Sequence, residues 1–212
     1  MIVIFDLDGT IVNTYPVIKK TLIELFNLYL PNLKYDEKLL ESFFGPPLVE
    51  SFAKIAPDKV TQEFLISEYR RINKKYYEAE ITLFPNIKEV LKELKLKNYK
   101  LAILSNRIKS LIDVALEVTK IKDYFDLVIG VDNVVNPKPN PMGIYKIIEE
   151  LNDKNVIYVG DTVTDIQTAK NAYVKAVGVT WSLTTKEEFI QANADYIISD
   201  PNELLTILEG SI

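Results

Sequence analysis

Two pairs of aspartates stand where apolar stretches of the sequence end. Asp6 and Asp8 close the stretch IVIF, with Gly9 directly after them, and Asp161 and Asp165 follow the stretch VIYVG. Carboxylates this close repel each other, and their burial is costly unless a cation or hydrogen bonds compensate the charge. Oxygen ligands suit a hard cation, so the two pairs predict a site for Mg²⁺.

A magnesium ion beside carboxylates indicates phosphoryl chemistry, because the ion offsets phosphate charge and leaves one carboxylate able to attack. A second carboxyl nearby can protonate the leaving oxygen and later take a proton from water. Ser105 ends a third apolar stretch and can donate to a phosphate oxygen, and Lys138 can neutralise the remaining charge. Taken singly, these residues have simpler explanations. The aspartates and Ser105-Asn106 could serve merely as helix caps, and Lys138 could be an exposed side chain. Taken together, they favour a phosphoryl-transfer site.

Residue types that are missing from the sequence exclude several other chemistries. The chain has no Cys and no His, which excludes a thiolate nucleophile, a Ser-His-Asp triad and a zinc site of the usual kind. No two of the seven glycines lie at the spacing of a dinucleotide fingerprint or a P-loop. Catalysis would therefore depend on carboxylates, hydroxyls, Lys or Arg.

Charge and hydropathy predict a soluble cytoplasmic protein. The formal net charge is -5, which argues against nucleic acid or an anionic membrane as the main partner. No stretch is long and apolar enough to span a bilayer, and residues 1–8 lack the positive flank of a signal peptide. We expect a small phosphorylated metabolite as partner, and a monomer or a homodimer.

The elements that must position these residues alternate between strand and helix. Short runs rich in Ile and Val, typical of strands covered on both faces, occur at 1–6, 100–105, 126–130, 155–161, 175–181 and 195–199. Helical patterns lie between most of them, at 86–97, 110–118, 141–151 and 163–172. This alternation predicts an α/β fold with a Rossmann-like parallel sheet, and ligands bind beyond the carboxyl ends of such strands.

One segment interrupts the alternation. From residue 14 to 84 the sequence shows helical runs at 16–29, 36–44, 48–55 and 61–79, and no convincing strand. We therefore predict an α/β core made of residues 1–13 and 85–212, with an all-helical domain of residues 14–84 inserted after the first strand.

Four motifs in order resemble the haloacid dehalogenase superfamily, in its phosphatase branch with a helical cap. They are FDLDGT (5–10), ILSNR (103–107), NPKPNP (136–141) and VGDTVTDI (159–166). The resemblance implies that Asp6 is the nucleophile, forming an aspartyl-phosphate, and that Asp8 is the general acid and then the general base. It implies that Ser105 binds a phosphoryl oxygen and that Lys138 bridges the phosphate and Asp6.

The resemblance also implies a metal site and further contacts to substrate. Mg²⁺ would be held by Asp6, the backbone carbonyl of Asp8, and Asp161. Asp165 would orient these ligands without touching the ion, or would contact the ion directly or through water.

Phosphate or substrate contacts are implied for the amides of Leu7 and Asp8, for Asn106, and for Gly45 in the helical cap. Gly45, followed by two prolines, could equally well only separate two helices. Gly9 would allow the sharp turn beside the ligand.

Several functions remain open at this point. A small phosphate monoester is the first expected substrate, with phosphoglycolate as the first candidate. Asp8 favours phosphate esters over halides, because a halide leaving group needs no proton. Pyrophosphate hydrolysis, sugar-phosphate hydrolysis and a sugar phosphomutase share the same motifs. A non-enzymatic phospho-switch is the least favoured, because it would need neither Asp8 nor a cap.

Overall fold

The computed structural model describes residues 1–210 of the chain, and its strands and helices alternate as predicted. The strands are β1 (Ile2–Phe5), β2 (Val12–Asn13), β3 (Thr82–Leu83), β4 (Lys100–Leu104), β5 (Leu127–Ile129), β6 (Val156–Gly160), β7 (Lys175–Val179) and β8 (Tyr196–Ile198). The helices are α1 (Tyr15–Tyr29), α2 (Glu37–Glu41), α3 (Leu48–Ala53), α4 (Lys59–Glu80), α5 (Ile87–Leu96), α6 (Lys109–Val118), α7 (Met142–Leu151), α8 (Val163–Asn171), α9 (Lys186–Gln191) and α10 (Glu203–Glu209). Single 3-10 turns occur at Lys122–Tyr124 and Val131–Asn133.

Six strands form one parallel sheet in the order β5-β4-β1-β6-β7-β8. All four side chains of β1 are buried, so apolar groups cover both faces of the sheet at its centre. The prediction of an α/β fold with a parallel sheet is confirmed, and each of the six predicted strands is present.

The chain divides into two compact units. The first, the α/β unit, contains residues 1–13 and the residues from 83 onward, and the second, the helical unit, contains residues 14–82. The predicted boundary at 84 and 85 differs by two residues.

Thr82–Leu83 form a short strand, where the sequence showed helices and no convincing strand up to residue 84. Its partner in a separate two-stranded sheet is β2, which is equally short. Two residues are too few for a strand period to appear in the sequence, and hydrogen bonds to a distant segment decide their conformation.

The helical unit has an aromatic core of its own. Phe43 stacks edge-to-face on Phe26 and on Phe52, with ring centroids 5.9 Å and 5.1 Å apart, and Phe52 meets Tyr69 at 6.1 Å. Helix α4 begins after Asp58, whose Oδ1 accepts a hydrogen bond from the Thr61 amide at 2.9 Å. Among residues 1–210, no helix combines the length and the apolar character needed to cross a membrane.

Candidate active site

The central strands bring the predicted site residues to one edge of the sheet. Strand β1 lies between β4 and β6, with Phe5 paired to Ile103 on one side and Val159 on the other. The residues that follow these three strand ends are therefore neighbours, although more than 150 positions separate the first from the last. This register places Asp6, Ser105 and Asp161 at the same carboxyl edge.

Lys138 joins two of the aspartates by short ion pairs. Its Nζ lies 2.7 Å from Asp6 Oδ1 and 2.6 Å from Asp165 Oδ1, and all three side chains are buried. Burial alone would lower the pKa of Lys138, but the charges of Asp165 and Asp6 outweigh it and hold this pKa well above its usual value. Lys138 is therefore positively charged where it contacts Asp6 and Asp165.

The side chain of Asn106, the residue after Ser105, holds the loop that carries Lys138. The side chain of Asn106 accepts a hydrogen bond from the Lys138 amide at 3.0 Å and donates one to the Lys138 carbonyl at 3.3 Å. These contacts make Asn106 a positioning residue for the lysine. Its contact with phosphate stays a prediction.

Tyr158 is a residue of the site that the sequence did not single out. Its hydroxyl lies 3.1 Å from both Lys138 Nζ and Asp165 Oδ1, and 3.0 Å from the carbonyl oxygen of Leu104. A tyrosine in the otherwise aliphatic strand β6 was the available signal, because a buried hydroxyl requires a partner.

Asp165 is held by hydrogen bonds on both of its carboxylate oxygens. Oδ2 accepts from the Thr162 amide at 3.0 Å and from the Thr162 hydroxyl at 2.6 Å, while Oδ1 faces Lys138 and Tyr158. Thr162 in turn caps α8, and Asp165 completes the capping box, so the capping interpretation of Asp165 is confirmed. Gly160 permits this arrangement, because a Cβ atom there would lie 2.3 Å from Asp165 Cβ. Both carboxylate oxygens of Asp165 therefore contact protein groups, and its role at a metal site stays a prediction.

Asp161 presents one carboxylate oxygen that the protein leaves unpaired. Its Oδ1 accepts a hydrogen bond from Thr10 Oγ1 at 3.1 Å, but Oδ2 is buried and has no hydrogen-bond partner among residues 1–210. Burial, and then the charges of Asp6 and Asp165, raise the pKa of Asp161 well above its usual value.

The donor set fits a divalent cation. Asp6, Asp161 and Asp165 each offer a carboxylate oxygen, and these atoms lie within 4.8 Å of one another. Burial raises the pKa of Asp6 to about 7, opposed by Lys138 and assisted by the charges of Asp165 and Asp8. A cation that binds the unpaired oxygen would relieve both the repulsion and the missing contact.

Asp8 precedes a tight turn and is paired with Arg107. Gly9 has a φ of 82°, which is the left-handed conformation that favours glycine, and the carbonyl of Leu7 accepts hydrogen bonds from two amides that follow the turn. The Asp8 carboxylate receives two hydrogen bonds from the guanidinium, Nε to Oδ2 at 2.7 Å and Nη2 to Oδ1 at 3.0 Å. This pairing could not be inferred from the sequence, where the two residues are 99 positions apart.

The remaining two predicted residues occupy different units. Ser105 is buried at the end of β4, where its amide donates to the Ile129 carbonyl and its Oγ accepts from the Arg107 amide at 3.3 Å. Gly45 lies in the helical unit between α2 and α3, with a φ of 101°. Its contact with substrate stays a prediction.

A family model and two named relatives match most of the chain. A family model described as haloacid dehalogenase-like hydrolase matches residues 3–179. The chain is 32% identical over 210 residues to a protein named pyrophosphatase PpaX from Bacillus cereus (strain B4264), covering 98% of this chain and 96% of the relative. The protein of the same name from Oceanobacillus iheyensis is 32% identical over 211 residues, covering 99% and 97%.

Two solved structures resemble the fold over its whole length. A haloacid dehalogenase-like family hydrolase from Streptococcus pneumoniae has a TM-score of 0.87 and 27% identity, covering 98% of this chain and 97% of the other. A Thermotoga maritima protein assigned as a β-phosphoglucomutase has a TM-score of 0.79 and 25% identity, covering 100% and 99%.

Proposed function

This chain belongs to the haloacid dehalogenase-like hydrolase family, and on that basis we propose that it is a Mg²⁺-dependent phosphatase that acts through an aspartyl-phosphate on Asp6. The observation that carries the proposal is the contact of Asp6 Oδ1 with Lys138 Nζ at 2.7 Å, beside the unpaired oxygen of Asp161. A buried carboxylate held between a cation and a divalent-metal site is the arrangement that a phosphoryl acceptor requires.

Asp6, Asp161 and the backbone carbonyl of Asp8 would hold the metal ion. When bound, it would offset the charge of the carboxylates and of the phosphoryl group. The formal charges of the predicted site agree with this, because four aspartates face only Lys138 and Arg107 as cationic partners among the described residues. The excess of two negative charges matches one divalent cation.

The side chains then divide the reaction between them. The free oxygen of Asp6 attacks phosphorus, the bond from phosphorus to the leaving oxygen breaks, and Asp8 gives that oxygen its proton. In the second half, Asp8 takes a proton from water, the water oxygen attacks phosphorus, and the bond to Asp6 breaks. Lys138 keeps the nucleophile oriented and neutralises phosphoryl charge, and Ser105 donates to a phosphoryl oxygen.

The substrate is a small phosphate ester or phosphate anhydride. Phosphoglycolate was the first candidate from the sequence, and the relatives named pyrophosphatase support pyrophosphate as a second. In both, the leaving group is itself an anion.

The proposal is tested by measuring phosphate release from pyrophosphate, phosphoglycolate and an aryl phosphate. We expect release that requires Mg²⁺, stops with a chelator, and falls by about 1000-fold or more in Asp6→Asn, because the nucleophile is lost. Asp123→Asn, an exposed aspartate, is the matched control and should keep full activity. Near-full activity of Asp6→Asn would refute the mechanism.

A sugar phosphomutase is the second candidate, and the Thermotoga maritima neighbour supports it. It would move phosphate between positions of a sugar without releasing it. Incubation with sugar phosphates separates the two candidates, because a mutase gives an isomer and a phosphatase gives free phosphate. A phospho-switch would instead accumulate a stable phosphoprotein without turnover.

A further inference from the structure

The pairing of Arg107 with Asp8 is not explained by the mechanism above. The two hydrogen bonds are parallel, from Nε and Nη2 to the two carboxylate oxygens, and both side chains are mostly buried, with exposed fractions of 14% and 19%. This is the geometry in which a guanidinium binds a carboxylate or a phosphate group.

The backbone of Arg107 is fixed in the same loop as the predicted phosphate-binding serine. Its amide donates to Ser105 Oγ at 3.3 Å, and its carbonyl accepts from the Val131 amide at 3.0 Å. Arg107 therefore presents its guanidinium from a defined position. A flexible surface arginine would lose more entropy on binding an anion than this one.

Lys138 and Arg107 are placed to contact different ends of a bound substrate. Lys138 contacts Asp6 and Asp165, so its charge lies where the transferred phosphoryl group must be. Arg107 contacts Asp8, the residue that must face the leaving oxygen. The atoms just beyond the leaving oxygen would consequently lie nearest the guanidinium.

We propose that Arg107 binds an anionic group on the leaving side of the substrate, so that this enzyme selects phosphate compounds whose leaving group is negatively charged. The proposal rests on the function proposed above and deepens it by naming the substrate class. An incoming carboxylate or phosphoryl group exchanges with Asp8 for the same N–H donors, and Asp8 is then free to turn to the leaving oxygen. A substrate with an uncharged leaving group must break the ion pair without replacing it.

Steady-state kinetics on three substrates tests this selectivity. Pyrophosphate and phosphoglycolate have anionic leaving groups, and glycerol 3-phosphate has an uncharged one. In Arg107→Gln we expect kcat/KM to fall about 10- to 100-fold for the first two, as for a lost hydrogen-bonded charge, and to stay unchanged or rise for the third, because no ion pair then has to be broken. Arg107→Lys should recover part of the loss, because it keeps the charge but not the paired donors.

The controls separate selection from simple positioning. Lys92→Gln removes one positive charge from the exposed face of α5 and should change none of the three values. An equal fall on all three substrates in Arg107→Gln would overturn the inference, since Arg107 would then only position Asp8. Unchanged values on all three would overturn it as well. Because Arg107→Lys retains a cation beside Asp8, it covers the case in which Arg107→Gln does not fold.

A binding measurement distinguishes failure of this inference from failure of the proposed function. Asp6→Asn lacks the nucleophile, so its affinity for pyrophosphate and for inorganic phosphate can be measured by calorimetry in the presence of Mg²⁺. Adding Arg107→Gln should weaken pyrophosphate binding about 10- to 100-fold and leave phosphate binding nearly unchanged. If the wild type releases no phosphate from any substrate, the proposed function fails, and this comparison still decides the role of Arg107: equal effects on both ligands would overturn it.

Discussion

Replacing Asp161 by asparagine should stabilise the metal-free protein while it removes the metal site. Asp161 Oδ2 is buried without a partner among the described residues, and a carboxylate oxygen of Asp161 lies within 4.8 Å of one from each of Asp6 and Asp165. The asparagine side chain would keep an oxygen for the hydrogen bond from Thr10 and would turn an amide donor toward Asp6. The substitution thus replaces a repulsion by an attraction, at the cost of one metal ligand.

The size of the expected stabilisation follows from the distance between the carboxylates. Two unit charges at the 4.8 Å limit of this cluster repel by about 3 kcal/mol at an effective dielectric constant of about 20. Because relaxation of the site recovers part of this, we expect the free energy of unfolding to rise by about 1–3 kcal/mol at pH 8. For a chain of this size that corresponds to an increase in Tm of roughly 2–12 °C.

The stabilisation by Asp161→Asn should increase with pH. Burial raises the pKa of Asp6 to about 7, and the pKa of Asp161 is raised as well, whereas an unfolded aspartate titrates at about 3.9. Between these values the folded state holds more protons than the unfolded state, so the metal-free wild type loses stability as the pH rises from about 4 to about 7. The advantage of Asp161→Asn should therefore be small at pH 5 and largest at pH 8.

Fluorescence of Trp181, the single tryptophan, reports on unfolding of the α/β unit, where its indole Nε1 donates to the Thr10 carbonyl. Melts with a chelator and with Mg²⁺ give the two stabilities. In the wild type, Mg²⁺ at about ten times its Kd should stabilise by about 1.4 kcal/mol, and in Asp161→Asn this gain should be nearly absent. Asp123→Asn should behave as the wild type. The reasoning would be refuted if Asp161→Asn lowered the stability of the metal-free protein, or if Mg²⁺ stabilised it as much as the wild type.

Three further substitutions test the contacts around Lys138 and Asp165. Lys138→Met leaves two buried carboxylates without their cation and should lower the free energy of unfolding by about 3–5 kcal/mol, more at pH 8 than at pH 5; a loss in urea unfolding that does not change with pH would contradict this. Tyr158→Phe removes the hydroxyl beside Lys138 and should lower kcat about 10-fold and stability by about 1–2 kcal/mol, with KM nearly unchanged; a change in KM alone in steady-state kinetics would point to a different role. Gly160→Ala should lower the Tm by several degrees, because its Cβ would meet Asp165 at 2.3 Å, while Gly210→Ala, whose nearest neighbour is 3.7 Å away, should melt as the wild type; equal melting of the two variants would show that the site adjusts without cost.

The sequence alone predicted the elements of the α/β unit because each of them has a local pattern. Runs of Ile and Val indicated the six strands of the sheet, and strand-helix alternation indicated parallel pairing. The helix that follows Asp161 begins at Val163, within the predicted range, with Thr162 and Asp165 at the spacing of a capping box. Residue types and motifs also identified the carboxylates and the lysine as candidates for one site.

What the sequence could not supply is the set of partners of each side chain. Asn106 and Lys138 are 32 positions apart, and Asp8 and Arg107 are 99 positions apart. Such pairs depend on which strands are neighbours and on how the loops after them turn, and no local period records either. The strand order β4-β1-β6 brings these loops together, because crossover connections place strands side by side that are distant along the chain. A tyrosine within a buried strand looks like any core residue until the tertiary structure places its hydroxyl beside Lys138.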